Sequence, residues 1–415
     1  MNAASRIDPP AWMTGPEARC VLDALGANGA PARFVGGCVR DAILDLAVTD
    51  IDIATPEPPK QVVALLDKAG IRHIPTGLAH GTVTALVNSR RFEITTLRHD
   101  VKTFGRHAEV AFHDDWETDA SRRDLTINAM SCTRDGEIYD YVGGLGDLAA
   151  GRVRFVGDAA TRIEEDHLRL LRFFRFYVHY GTPPPDSDAL DACRTWAGSL
   201  AKLSGERIAK ETLLLLAAPE PGPVLALMAE IGVLAELLPE ATGGTGLLDA
   251  LITLEAKPDG LRRLAALLAE AGADEAAARA VAGRWRLSNA QGERLAALVA
   301  PAQRVGRDDS PAIQRARLYR EGAERVRDVT LLAWATARAS GEDAAFHALL
   351  ALADGWAPVE LPVGGADVIA LGVPAGPEVG AILAEVEAWW IEHDFKPDHG
   401  AVLGELATCI ATRRR

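Results

Sequence analysis

Apolar and polar positions change rhythm once along this chain. Over the first 150 residues, short runs of Val, Ile, Thr and Phe bounded by Gly or charged residues alternate with helical stretches. ARFVGG (32–37), TDIDIAT (49–55), GTVTALV (81–87) and RFEITTLR (91–98) predict strands. PPKQVVALLDKAG (58–70) predicts a helix, with Pro early and Gly at its end. HDVKTFGRHAEVAFHDDWETD (99–119) is charged and nearly aperiodic, which predicts a mobile loop. From Asp158 the spacing becomes helical and stays so. RIEEDHLRLLRFFRFYVHY (162–180) predicts one amphipathic helix stopped by GTPPPDSD. Beyond Glu211 the chain is Leu- and Ala-rich, with Gly and Pro punctuating 240–246, 301–311 and 355–377. The pattern gives an α+β protein with an α/β head (1–150), a helical neck (151–216) and an all-helical body (217–415).

Composition narrows the class. At 415 residues, 48% hydrophobic and 25% charged, the chain is globular and long enough for two or three domains. It holds no run of 18 apolar residues and opens without a basic-then-apolar leader. The reading is therefore a cytoplasmic protein with no membrane partner. Five scattered cysteines without a C-x-x-C pair read as reduced thiols.

A formal charge of −14 argues against a nucleic-acid partner until its distribution is considered. Residues 1–150 hold 15 Lys and Arg against 21 Asp and Glu, whereas 279–327 hold 11 Arg against 5 acids. That basic island, with Arg284, Arg286, Arg315, Arg317 and Arg320, reads either as an RNA-phosphate footprint or as a solvated helical face.

The sharpest chemistry lies in FVGGCVRD (34–41) followed by TDIDIA (49–54). A strand running into Gly36-Gly37 and a helix leaving through Arg40 offer free backbone N–H groups and a cation to a phosphate. Asp50 and Asp52, two apart on a strand, leave the same face and repel unless a cation such as Mg²⁺ joins them. Glu93 is turned opposite to Phe92 and Ile94, so pairing of its strand with 50–54 would bring up a third carboxylate, as two-metal phosphoryl transfer requires. Singly, a D-x-D or a Gly-Gly turn is commonplace; their succession on strand, helix and strand is not.

Two further clusters follow. In SRRDLTINAM (121–130), one reading is a charged cap on a helix, with Asp124 capping and Ile127 and Met130 buried. The other sets Arg123 on a triphosphate or ribose and Asp124 on a ribose hydroxyl. On the neck helix, Asp166 and Arg169 stand i,i+3, with Arg172 and Arg175 extending the stripe. A surface ion pair would suffice. Alternatively, a carboxylate acceptor beside an arginine donor matches cytosine and adenine, whose amino group lies beside a ring-nitrogen acceptor. It mismatches guanine and uracil, so such a pair can select bases without a template strand.

GGCVRD…DID, RRDLTINA, EDHLR and LSGERIAKE (203–211) together resemble the bacterial class II CCA-adding tRNA nucleotidyltransferases and their poly(A) polymerase relatives. The resemblance covers residues 1–215 and a segment at 365–383. It implies a polymerase-beta-like nucleotidyltransferase head, addition of CCA to tRNA from CTP and ATP, and Mg²⁺ as cofactor. By it Asp50 and Asp52 are metal ligands and Glu93 the third catalytic carboxylate. Gly37, Arg40 and Arg123 would contact the nucleotide triphosphate, and Asp166 and Arg169 would read its base, with Arg172 and Arg175 beside them. Poly(A) synthesis, A-only or CC-only addition, and a catalytically silent RNA-binding protein are the competing readings. His99-Asp100, His113-Asp114 and His393-Asp394 lack the accompanying His and Asp of a metal phosphohydrolase, so no such domain is expected. GVPAGPEVG (372–380) reads as a turn opening an amphipathic helix, or as a phosphate-binding helix start.

Overall fold

The structure, a computed structural model, describes residues 3–78, 81–104, 107–241, 243–299, 309–337 and 343–414. They fall into two compact units. One comprises residues 1–242 with 258–260 and 283–287; the other comprises 243–257, 261–282 and 288–415.

The first unit is built on a mixed sheet. Its strands are β1 (Ser5–Arg6), β2 (Arg33–Val35), β3 (Ile51–Thr55), β4 (Arg72–Gly77), β5 (Thr82–Val87) and β6 (Arg90–Thr96). A separate ribbon follows, β7 (Arg98–Phe104) and β8 (His107–Phe112), and then β9 (Ser131–Cys132) and β10 (Glu137–Tyr139) rejoin the sheet. The sheet order is β1-β10-β9-β2-β3-β6-β5-β4. All four predicted strands are present. β3 and β6 run parallel, with Asp52 directly opposite Glu93. Ile51, Ile53, Phe92 and Ile94 are buried, so alternation turns Asp52 and Glu93 to the other face. The Pro16–Leu25 and Pro59–Lys68 helices pack together and on β5, burying Val21, Leu25, Val62 and Leu66.

The expected loop at 99–119 is a β-ribbon instead, paired from Arg98↔Phe112 to Phe104↔His107. Among the described residues the ribbon joins no other strand. A two-stranded ribbon has no obligatory buried face, so its sequence need not alternate, and the period-two signal was missing. The expected cap and helix at 121–130 is a 3₁₀ turn, Thr126–Asn128, and Asp124 caps no helix. Ile127 and Met130 are fully buried, as anticipated.

The predicted single helix at 162–180 is two, Ala159–Glu165 and Leu168–Tyr180. Asp166 between them is extended (φ −152°, ψ 105°). Its carboxylate accepts from the Leu168 N–H at 3.2 Å and from both Arg207 terminal nitrogens at 3.1 and 2.6 Å. A short Asp side chain that bonds nearby backbone competes with the helical ladder, and here it interrupts it. The Gly205–Leu216 helix, which carries Arg207 and Glu211, packs along Leu168–Tyr180.

The second unit is helical, as read from the sequence. Its last helices, Gly365–Ala370, Pro377–Glu392 and His399–Arg413, close on a core of Val368, Ile382, Val386, Trp390, Val402 and Leu406. Elsewhere in it, buried Arg262 bridges Glu255 and Asp328, with Arg263 on Glu255 (2.5 Å) and Arg294 on Asp328 (2.7 Å). Every charge in that buried group has an opposite partner, the condition under which burial of charge is tolerated. The expected break at 301–311 lies largely outside the described residues.

Candidate active site

A cavity of about 580 Å³ opens in the first unit, where the head strands meet the Leu168–Tyr180 and Gly205–Leu216 helices. It is lined by Gly36, Gly37, Arg40, Asp52, Arg123, Asp124, Asp166, Arg169, Arg172 and Arg175, with Arg122, Asn128, Tyr180 and Arg207. Seven of the lining residues are arginines and three are aspartates, a balance that suits a polyanion. Positions as far apart in the chain as Gly36 and Arg175 thus converge. Asp50 and Glu93 flank Asp52 rather than line the cavity.

β2 runs into Gly36, whose φ of +75° and close environment both call for glycine. A Cβ there would stand 3.1 Å from Arg123 Nη1. The chain then enters the Gly37–Ile43 helix, which carries Arg40 inward. Arg40 is almost wholly buried and already engaged. Its Nε and Nη2 meet the Asp41 carboxylate (2.9 and 3.0 Å), and Nη1 donates to Asn128 Oδ1 (2.5 Å). Its guanidinium lies 4.1 Å from the Tyr180 ring centre, and the Tyr180 hydroxyl donates to Asp41.

On the acidic face, burial, then Glu93 and Asp50, raises the Asp52 carboxyl to about 6, against an opposing pull from Arg123. The three acids share a neighbourhood, yet among the described residues no three His, Cys, Asp or Glu side chains already close on one point. Hard oxygens crowded around the Asp52 carboxyl are the donor chemistry Mg²⁺ would relieve.

This has a testable consequence. A carboxyl at 3.8 when unfolded and about 6 when folded favours folding below pH 4. That contribution is lost as pH rises through 6. With chelator present, Asp52→Asn should melt at a higher temperature than the parent at pH 7.5, by about 1–2 kcal/mol of stability. The two should converge near pH 4. Parallel melting curves across that range would remove Asp52 as the strained member of the cluster.

Asp124 is already engaged. Its Oδ1 accepts from the Leu125 N–H (2.9 Å) and Asn128 Nδ2 (3.4 Å), and its Oδ2 from Arg172 Nε (2.5 Å). A ribose hydroxyl there would share Oδ2 with Arg172. Arg175 lies 2.7 Å from buried Glu211, which also attracts Arg172 at 3.8 Å. The cationic stripe read from the neck is therefore compensated from below. Asp166 and Arg169 line one cavity, but they are not ion-paired to each other. Asp166 is held by Arg207, and Arg169 by Glu165.

Asn128, Arg207, Glu211 and Tyr180 were not singled out from the sequence. Arg207 and Glu211 stand four apart in LSGERIAKE, a spacing that puts both on one helix face, but their partners are 36–41 residues away. The body arginines lie elsewhere. Arg284 pairs with Glu240 and Arg286 with Glu206, in the first unit; Arg315 pairs with Asp394 and Arg317 with Asp309 and Glu321, in the second. The island is thus divided between units and largely neutralised locally, with no ion pair of Arg320 among the described residues.

A mixed sheet bearing Gly-Gly, Arg and an Asp-x-Asp strand at an arginine-rich cavity defines a nucleotidyltransferase head. Residues 32–154 match the family described as the poly A polymerase head domain, and 185–243 that described as a probable RNA and SrmB-binding site of polymerase A. Mouse mitochondrial CCA tRNA nucleotidyltransferase 1 is 33% identical over 380 residues, 90% of this chain and 86% of the relative. A CCA-adding enzyme of Limosilactobacillus fermentum is 32% identical over 400 residues, 94% of this chain and 96% of the relative. The crystal structure of the Bacillus stearothermophilus CCA-adding enzyme in complex with CTP superposes with a TM-score of 0.73 at 29% identity, covering 98% and 99% of the two chains. The chain belongs to the CCA-adding tRNA nucleotidyltransferase family.

Proposed function

We propose that this protein extends tRNA 3′ ends by C, C and A, taking CTP and ATP and releasing pyrophosphate. The observation that carries the reading is one cavity lined by Asp52, by seven arginines, and by Asp166 beside Arg169. The first can serve phosphoryl transfer, the second a triphosphate, and the third the base edge.

In this reading Gly36, Gly37 and Arg123 hold the triphosphate, and Arg40, locked by Asp41 and Asn128, stiffens the wall behind it. Asp50, Asp52 and Glu93 would hold Mg²⁺, which when bound lowers the pKa of the attacking 3′-hydroxyl and neutralises charge on the leaving group. The hydroxyl attacks the α-phosphorus, and the arginines meet the negative charge that moves to pyrophosphate. Asp166 accepts from the base amino group and Arg169 donates to the ring nitrogen. A carboxylate held by Arg207 keeps lone pairs for that purpose. The head (1–150), neck (151–216) and body (217–415) remain a functional division into transfer, base reading and RNA binding. Among the described residues no helix is long and apolar enough to cross a membrane. Free thiols at Cys20, Cys38, Cys132, Cys193 and Cys409 support a reducing, cytoplasmic setting.

Incubation with tRNA lacking its 3′ end, Mg²⁺ and each labelled nucleotide in turn tests the proposal. Incorporation of C and then A supports it. A alone indicates a poly(A)-type or A-adding enzyme, CC alone a partial enzyme, and no incorporation a silent RNA-binding protein.

Reversal of Arg317 and Arg320 to Glu should weaken tRNA binding. It should also flatten the salt dependence by roughly 0.7–0.9 in log–log slope for each phosphate no longer neutralised. Binding of free CTP should not change. An unchanged tRNA slope would make that helix a solvated face only.

A further inference from the structure

Asp119 lies outside every motif read from the sequence, yet it is 4% exposed and sits at the back of the cavity wall. It belongs to the short Trp116–Ser121 helix. One oxygen accepts from Arg122 Nε and Nη2 (2.9 and 2.7 Å) and from the Arg98 N–H (3.3 Å); the other accepts from Arg123 Nη2 (3.2 Å). Arg122 Nε also donates to the Arg98 carbonyl (2.9 Å), the first residue of β7. Burial alone would raise the Asp119 carboxyl, but Arg123 and Arg122 outweigh it, so the group stays an anion.

The geometry around Arg123 gives this carboxylate a consequence beyond packing. Apart from Asp119, the Arg123 guanidinium has one long hydrogen bond among the described residues, to the Asn128 carbonyl at 3.4 Å, and lies close against Gly36. It lines the same cavity as Asp52. Its direction is therefore fixed from behind by a single charged bond.

We propose that Asp119 is a positioning residue for nucleotide transfer, holding Arg123 toward the triphosphate beside Asp52 and tying it, through Arg122, to the base of the β7–β8 ribbon. The inference rests on the function proposed above, because Arg123 has a triphosphate to meet only if the cavity binds one. A purely structural Asp119 would instead stabilise the wall without acting through Arg123.

A double-mutant cycle separates the two, read as equilibrium binding of labelled CTP with Mg²⁺ and, in parallel, as CTP incorporation on tRNA lacking its 3′ end. Asp119→Asn and Arg123→Ala should each weaken CTP binding about tenfold, the scale of a displaced positioning contact. The double variant should bind no worse than Arg123→Ala alone, and tRNA affinity should hold in all three. If the two losses multiply in the double variant, Asp119 acts independently of Arg123 and the proposal is wrong. A parent that binds CTP but extends no tRNA would overturn the transferase reading, while the binding cycle would still decide Asp119. Should Asp119→Asn fail to fold, Asp119→Glu, which keeps the charge one methylene farther out, carries the same cycle.

Discussion

Asp52→Ala and Asp50→Ala proteins should fold normally and incorporate no measurable nucleotide, a loss of at least about 10³-fold in kcat. Asp50 is exposed and Asp52 only half-buried, so neither removal opens a hole in the core. What is lost is the pair of hard oxygens beside Glu93 on the parallel β3–β6 register. The control is affinity for the RNA, which should hold, because the body to which RNA binding is assigned is untouched. Rapid-quench measurement of a single C addition reads the chemical step directly. Turnover within tenfold of the parent by either variant would rule out the carboxylate cluster as the transfer site.

Asp166→Ala should change which nucleotide is used more than how fast any is used. With the carboxylate gone, cytosine and adenine lose the acceptor for their amino group, whereas Arg169 can still donate to the carbonyl of uracil or guanine. A hydrogen bond to a charged group is worth about 1–3 kcal/mol, so the preference for CTP and ATP over UTP and GTP should fall roughly ten- to hundred-fold in relative kcat/KM. Arg207→Ala should give a milder version of the same shift. It frees a carboxylate now held at 2.6 and 3.1 Å without removing it. Single-nucleotide incorporation with all four triphosphates on matched RNA ends provides the ratios. Identical ratios in the parent, Asp166→Ala and Arg169→Ala would reduce the cluster to surface ion pairs.

The legibility of this chain follows from the range of its signals. β3 and β6 were readable because burial of one face imposes strict alternation, and that alternation also oriented Asp52 and Glu93. Their adjacency was a conditional inference, since no local rule sets which strands pair across 40 residues. The break at Asp166 was invisible for a related reason. Helical periodicity continues on both sides of it, and the group that stabilises the break, Arg207, lies 41 residues on. Asp119, Asn128 and Glu211 went unnoticed because each acts on an arginine rather than on a ligand. Buried counter-charges have no spacing of their own. The 279–327 island illustrates the opposite error: counting charge along the chain cannot reveal that Glu206, Glu240 and Asp394 come from outside the window to neutralise it.

The extended residue between Ala159–Glu165 and Leu168–Tyr180 also bears on how this protein could be engineered. A designer maximising helix propensity would replace Asp166 and His167 with strong helix formers and fuse the two segments into one continuous rod. Such a rod would turn Arg172 and Arg175 by a different angle about the axis, away from Asp124 and Glu211, which now fix their directions. Consensus or propensity-based stabilisation of this family should therefore treat the two-residue gap as a fixed boundary and spend its substitutions in the second unit.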